Sequence, residues 1–193
     1  MKTKIMLIIS LFAFIVSGCG FWGVRGNGRV KDQSRSIMEF DKIDAGGAFT
    51  LKVKVGPAPS LRITAEENLI KYIRTNVKGN TLVIDTKKNI SPRKEIYIEI
   101  TTPSLRAVDA SGANNITVYG INGSDFEVDV SGAGSVNLSG EVERFRADLS
   151  GAGSINAKDY LDASVSGVGS ISYYGDPAKI RTDVSGVGSI SRK

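Results

Sequence analysis

The sequence holds 193 residues with 25 basic and 20 acidic side chains, a net charge of +5, the length of one ordinary domain or two small ones. It contains no His and a single Cys, which removes the commonest general base and metal ligand and rules out an internal disulfide. Hydrophobic residues make up 41% but aromatics only 7%, with 22 Gly against 5 Pro, so a core of small aliphatics and many turns is expected.

At the N-terminus, Lys2 and Lys4 precede an apolar run from Ile5 to Val16. The run is shorter than the roughly 20 residues that span a bilayer and reads as a signal peptide over residues 1–18. It ends in Val16-Ser17-Gly18-Cys19, which resembles the lipobox of bacterial lipoproteins. That resemblance implies cleavage before Cys19 and its acylation, and several acyl chains make a stable anchor. Gly20 stands where an Asp would mark inner-membrane retention, which favours the outer membrane in a Gram-negative cell. Removal of Lys2 and Lys4 leaves 23 basic against 20 acidic residues, so no nucleic-acid partner is expected. Residues 19–36, rich in Gly and carrying Arg25, Arg29, Lys31 and Arg35, read as a flexible tether whose bases reach anionic headgroups.

Residues 37–105 form a β-rich half. Phe49, Leu51, Val53 and Val55 alternate with Thr50, Lys52 and Lys54, the pattern of a half-buried strand. Leu61–Ala65, Thr81–Asp85 and Ile96–Ile100 repeat it, and Gly79-Asn80 marks a tight hairpin or corner. Glu66–Ile73 is the one helix candidate, at most two turns.

Residues 106–193 carry five copies of one motif. Val128-Asp129-Val130-Ser131-Gly132-Ala133-Gly134-Ser135-Val136-Asn137-Leu138 recurs with its Ser-Gly pair at Ser111, Ser131, Ser150, Ser166 and Ser185. The steps are 20, 19, 16 and 19 residues, a period that signals stacked repeats. Each copy reads as two short strands joined by a corner at Gly112; Gly132 and Gly134; Gly151 and Gly153; Gly167 and Gly169; Gly186 and Gly188. Copy one has Asn114 at the second position, the residue that best tolerates positive φ after Gly, so a left-handed backbone is expected there. The residue between, Ala113, Ala133, Ala152, Val168 or Val187, is expected to point inward. A parallel β-helix-like solenoid follows, with an antiparallel sandwich as runner-up. The last copy ends at Ser191, and an uncapped coil calls for a second copy or the first half of the chain to cover it.

Phe40-Asp41-Lys42-Ile43, Gly56 with Leu61-Arg62-Ile63, Val77 to Ile84, Ile98 to Leu105 and the Ser-Gly-Ala-Gly-Ser corners together resemble the bacterial head GIN domain family, also described as "putative auto-transporter adhesins". The resemblance covers roughly residues 36–191, most specifically the repeats. It implies a right-handed, solenoid-like all-β fold, exported or lipid-anchored, with no catalytic residues to carry over.

Three columns of residues invite chemistry. Gly132-Ala133-Gly134 lacks the third glycine and the helix of a nucleotide loop. The serines lack any base to activate them and read as turn hydroxyls that satisfy corner amides. Asp109, Asp129, Asp148 and Asp183 form a column with Ser164 breaking it. Stacked carboxylates call for a base, a raised pKa or a cation, and calcium suits oxygen ligands. The expected function is therefore binding, with no cofactor: a lipid-anchored envelope protein presenting a flat polar face to a glycan or envelope protein, with solenoid ends available for self-association. The alternatives are a structural envelope component and a polysaccharide-active enzyme using Asp129, Asp148, Arg144 and Arg146.

Overall fold

The computed structural model describes residues 23–158, 161–174 and 180–192; the signal segment, Cys19, Phe21, Trp22 and Tyr160 lie outside them. Alternating apolar and polar residues build strands throughout. Val24–Arg25 (β1) and Val30–Arg35 (β2) come first, then Lys42–Gly47 (β3), Thr50–Val55 (β4) and Ser60–Glu66 (β5). Ile73–Lys78 (β6) and Thr81–Thr86 (β7) form an antiparallel hairpin across Gly79-Asn80, with Gly79 at φ 58°. Ile90–Ser91 (β8) and Tyr97–Thr102 (β9) precede the repeats. Those comprise Ala107–Val130 (β10), Ala133–Leu149 (β11), Ala152–Lys158 (β12), Leu161–Val165 (β13), Val168–Tyr174 (β14), Ile180–Val184 (β15) and Val187–Arg192 (β16). The protein is all-β, with one large sheet that does not close into a barrel.

Two parallel ladders run through that sheet. In one, β9, β4, β10, β11, β12, β14 and β16 pair in turn. Ile98, Leu51, Ile116, Val136, Ile155, Ile171 and Ile190 lie directly opposite one another along it. All but Ile190 are buried, each worth about 1.5–3 kcal/mol of apolar burial. In the other, β7 pairs β3, β3 pairs the start of β10, and β11, β13 and β15 follow. The start of β10 connects to its own end through the Glu127 amide to the Arg106 carbonyl and the Ser131 amide to the Ala110 carbonyl, at 2.9 and 3.0 Å. Equivalent residues of successive repeats thus face each other in parallel. The antiparallel sandwich does not describe them.

The ladders contain a further unit that the sequence reading did not find. Ile43-Asp44-Ala45-Gly46-Gly47 pairs residue for residue with Val108 to Gly112, and Thr50 to Lys54 with Asn115 to Tyr119. The stacking order also departs from chain order: β7 and β9, later in sequence, lie outside β3 and β4.

Five expectations are corrected. Residues 23–36 are not a free tether, because β2 pairs antiparallel with β5 from Val30↔Glu66 to Arg35↔Leu61, and β1 pairs with β8. The helix candidate shrinks to a 3-10 turn at Ile70–Tyr72 whose N-cap, Leu69, offers no capping side chain. Positive φ is not the rule at the second corner glycine: Gly134 has φ 144°, while Gly153, Gly169 and Gly188 lie outside the left-handed region. What those positions share is space, since a Cβ would fall inside the backbone of the preceding unit: Gly134 against Asn114, Gly153 against Gly134, Gly169 against Gly153 and Gly188 against Gly169. Finally, Ala113, Ala133, Ala152, Val168 and Val187 are exposed, because the inner side of the corner is closed by the touching backbones. Antiparallel β2, β5 and β6 stand at the β7–β9 end of the ladders, away from β15 and β16, so among the described residues no strand of the first half pairs with the last repeat.

Candidate functional site

The two ladders present two outward faces of different chemistry. On the first, Asp44 joins the predicted column opposite Asp109, and Asp129, Asp148, Ser164 and Asp183 continue it. Burial pushes the Asp109 carboxyl up, and neighbouring Asp44 and Glu127 add to it. Asp129 is raised in the same way, by burial and then by Asp109 and Asp148. Asp148 accepts from Arg146 at 3.1 Å and from the Ser164 hydroxyl, so a base and a hydroxyl serve it. Among the described residues no three His, Cys, Asp or Glu side chains are grouped to hold a metal ion. The column is a ladder, not a cage.

Beside it lies a groove of about 350 Å³ lined by Lys42, Arg106, Ala107, Asp125, Phe126, Glu127, Arg144, Phe145 and Arg146. Its cause is a small residue: Ala107 pairs with Lys42 and leaves a gap in a row of long side chains. Phe126 and Phe145 stack with ring centroids 6.3 Å apart beneath it, both buried. The charges on its rim are engaged. Arg144 clasps Asp125 with two hydrogen bonds of 2.5 and 2.8 Å, which hold the Asp125 carboxyl down at about 2. Arg146 reaches Glu127 at 3.8 Å as well as Asp148, and Arg106 pairs with Asp41 at 2.8 Å. Arg144, Arg146 and Asp148 of the predicted tetrad are thus drawn into structural ion pairs, Arg144 with Asp125 and Arg146 with Glu127 and Asp148, while Asp129 stays among like charges.

The second face is neutral. Below Thr50, its first row runs Asn115, Ser135, Ser154, Ser170, Ser189. Below Lys52, the next runs Thr117, Asn137, Asn156, Ser172, Ser191, with Ser172 buried. Neighbours bond along the rows: Ser135 Oγ donates to Asn115 Oδ1 at 3.3 Å, and Asn156 Nδ2 to Asn137 Oδ1 at 2.8 Å. Thr117, Tyr119, Asn137 and Ser139 ring a shallow hollow of about 390 Å³ floored by Val118 and Leu138, and the Tyr119 ring is 44% exposed. Alternation after each corner made these rows readable as outward; the hollow depends on the register between units, which no single repeat shows. At the corners the amides of Ser131, Ser150, Ser166 and Ser185 donate to backbone carbonyls of the preceding unit.

Parallel stacked units with a charged face and a neutral face define an all-β repeat protein. The chain belongs to the family described as "Putative auto-transporter adhesin, head GIN domain", whose model matches residues 39–160. Solved structures share the fold. A "putative adhesin" from Bacteroides fragilis NCTC 9343 is 23% identical with a TM-score of 0.62, covering 89% of this chain and 100% of that one. A "putative adhesin" from Parabacteroides merdae ATCC 43184 is 18% identical with a TM-score of 0.53, covering 89% and 99%. A "putative cell adhesion protein" from Clostridium sporogenes ATCC 15579 is 17% identical with a TM-score of 0.53, covering 86% and 99%. No curated protein matches the chain. Among the described residues no helix is long and apolar enough to cross a membrane.

Proposed function

We propose that this chain is a non-enzymatic, lipid-anchored protein of the bacterial cell envelope, in the outer membrane, that binds glycan through its neutral face. In this reading Cys19 carries the lipid, residues 37–105 supply the capped half, and the five copies in 106–193 wind as a right-handed parallel β-solenoid. The family's description as adhesins supports a binding role. The observation that carries the ligand class is the hollow around exposed Tyr119, rimmed by Thr117, Asn137 and Ser139. A sugar ring offers one apolar face for an aromatic ring and a rim of neutral hydroxyls for amides and hydroxyls, and a few placed polar groups fix its orientation. The rows from Asn115 to Ser191 carry no charge, with Lys52 and Lys54 of β4 opposite Thr117 and Tyr119 at the edge of the hollow.

A glycan array probed with the soluble chain, run beside a polysaccharide-cleavage assay, tests the reading. Binding without cleavage is expected, with Tyr119→Ala weakening it about 30-fold, as loss of a central aromatic anchor does. Cleavage would establish an enzyme. A folded chain silent in both assays would establish a structural envelope component.

A further inference from the structure

The sequence offers residues 19–36 as a leash between a lipid at Cys19 and the body; the structure takes most of that leash back. Gly23 already lies so close to the body that a Cβ there would stand 3.0 Å from the Ile90 carbonyl carbon and 3.2 Å from the Ser91 nitrogen. The Val24 amide donates to the Asn89 carbonyl at 2.9 Å, and the Gly26 amide to Ser91 at 3.0 Å. Slightly farther on, the buried Glu66 carboxylate accepts from the Gly28 amide at 2.5 Å. Cys19 is therefore four peptide steps from the first seated residue, a reach of about 14 Å at full extension. A lipid must spend several ångströms of that reach crossing the headgroup layer. The remainder is comparable to the screening length of about 8 Å at physiological salt. Whatever surface surrounds Gly23 is held within electrostatic range of the membrane.

That surface is basic. Lys87 and Lys88 immediately precede the Asn89 that receives Val24, and both are exposed. Lys88 Nζ lies 5.9 Å from the Tyr72 ring centre, and Lys71 Nζ lies 5.2 Å from it. The Lys87 amide donates to the Tyr72 carbonyl at 2.8 Å, fastening the two segments together. Nearby acids are already served: Asp85 by Arg74 at 2.5 Å, Glu67 by Lys31 at 3.9 Å and Glu66 by backbone amides. Positive charge beside an amphipathic ring suits the edge of an anionic bilayer.

We propose that Lys71, Lys87 and Lys88, grouped around Tyr72, form a membrane-docking surface for anionic lipid headgroups, which orients the body once Cys19 is anchored. The proposal rests on the lipid-anchored reading. It places the capped end of the ladders at the bilayer and leaves the far strands to face outward.

The test uses the full mature chain made lipid-free by Cys19→Ser, with vesicles of phosphatidylcholine alone or mixed with phosphatidylglycerol. Co-sedimentation is expected only with the anionic vesicles and is lost at high salt. The Lys71→Gln/Lys87→Gln/Lys88→Gln variant should bind about 100-fold more weakly, at about fivefold for each lysine removed. The charge-matched variant Lys52→Gln/Lys54→Gln/Arg181→Gln should bind like the parent. Equal binding by the two variants, or no preference for anionic vesicles, would overturn the proposal. Palmitate labelling of the native chain checks the anchor separately. Label that disappears in Cys19→Ser supports the anchor, and no label in the native chain sinks it whatever the vesicles show.

Discussion

At the scale of single residues, contact between backbones governs the repeats. A Cβ at Gly132 would fall inside the Gly112 peptide, and one at Gly151 inside the Gly132 peptide. Gly79 is the opposite case, with φ 58° and nothing within 4 Å of its would-be Cβ. Gly132→Ala should therefore cost about 3 kcal/mol, the upper range of forced overpacking, whereas Gly79→Ala should cost about 1 kcal/mol for the left-handed backbone alone. Urea unfolding of both variants separates the two causes. The sequence showed which positions must be Gly but not why, because a period reveals a constraint without its neighbour across the ladder. Asn114 illustrates the gap. Read as a glycine substitute at a left-handed corner, it is a buried plug. Its Oδ1 accepts from the Phe49 amide at 3.2 Å, and its Nδ2 donates to the carbonyls of Ala45 and Ser111 at 3.1 and 2.9 Å. The carboxylate column behaves as like charges must. Burial and the flanking acids raise the folded-state pKa of Asp129, so its charged form opposes folding above that pKa, and the penalty fades as pH falls toward the ordinary value of 3.8. Asp129→Asn should thus raise the melting temperature at pH 7 and lose its advantage near pH 4. Asp125 has the opposite sign: held at about 2 by Arg144, it contributes above 3.8 and is lost only as pH falls toward 2.

At the scale of elements, Glu66 explains two departures from the sequence reading. Read as the acidic start of a helix, it is the last residue of β5 and fully buried. Its carboxylate accepts from the amides of Gly28, Arg93 and Lys94 at 2.5, 2.7 and 3.3 Å. Burial alone would raise its pKa, and the three amides outweigh that and lower it. The helix loses its dipole partner, and the supposed tether gains a clasp. Glu66→Ala leaves three amides without their acceptor and should cost about 3 kcal/mol. It should also open Arg29 and Lys31 to trypsin before the body unfolds, which limited digestion followed by mass spectrometry would show. Strands β4, β5, β7 and β9 were legible because alternation survives in each. The unit over Ile43 to Val53 was not, because Gly46-Gly47-Ala48-Phe49 shares only one glycine of the corner pattern, and 65 residues separate Gly47 from its partner Gly112.

At the scale of the whole molecule, the ladders give one body two faces and two ends. The outward alternation of the repeats was enough to foresee a polar repeated surface. Its division into a charged and a neutral side required knowing which strand column each half-repeat joins. The ion pairs of the repeats lie on the side of the Asp column, and the hollow around Tyr119 lies on the other, so the two faces can be altered independently. The stacking order carries a last consequence. The unit built from β3 and β4 sits between a later segment of chain and the first repeat, whereas among the described residues each repeat after the first pairs only with its sequence neighbours. The capped half is thus a closed knot of mutual dependence, and the repeats are an open count. Removing residues 131–149 would join Val130 to Ser150 and withdraw one rung of about 4.8 Å while sparing the cap. The length of the stack is a quantity this architecture can change by whole numbers.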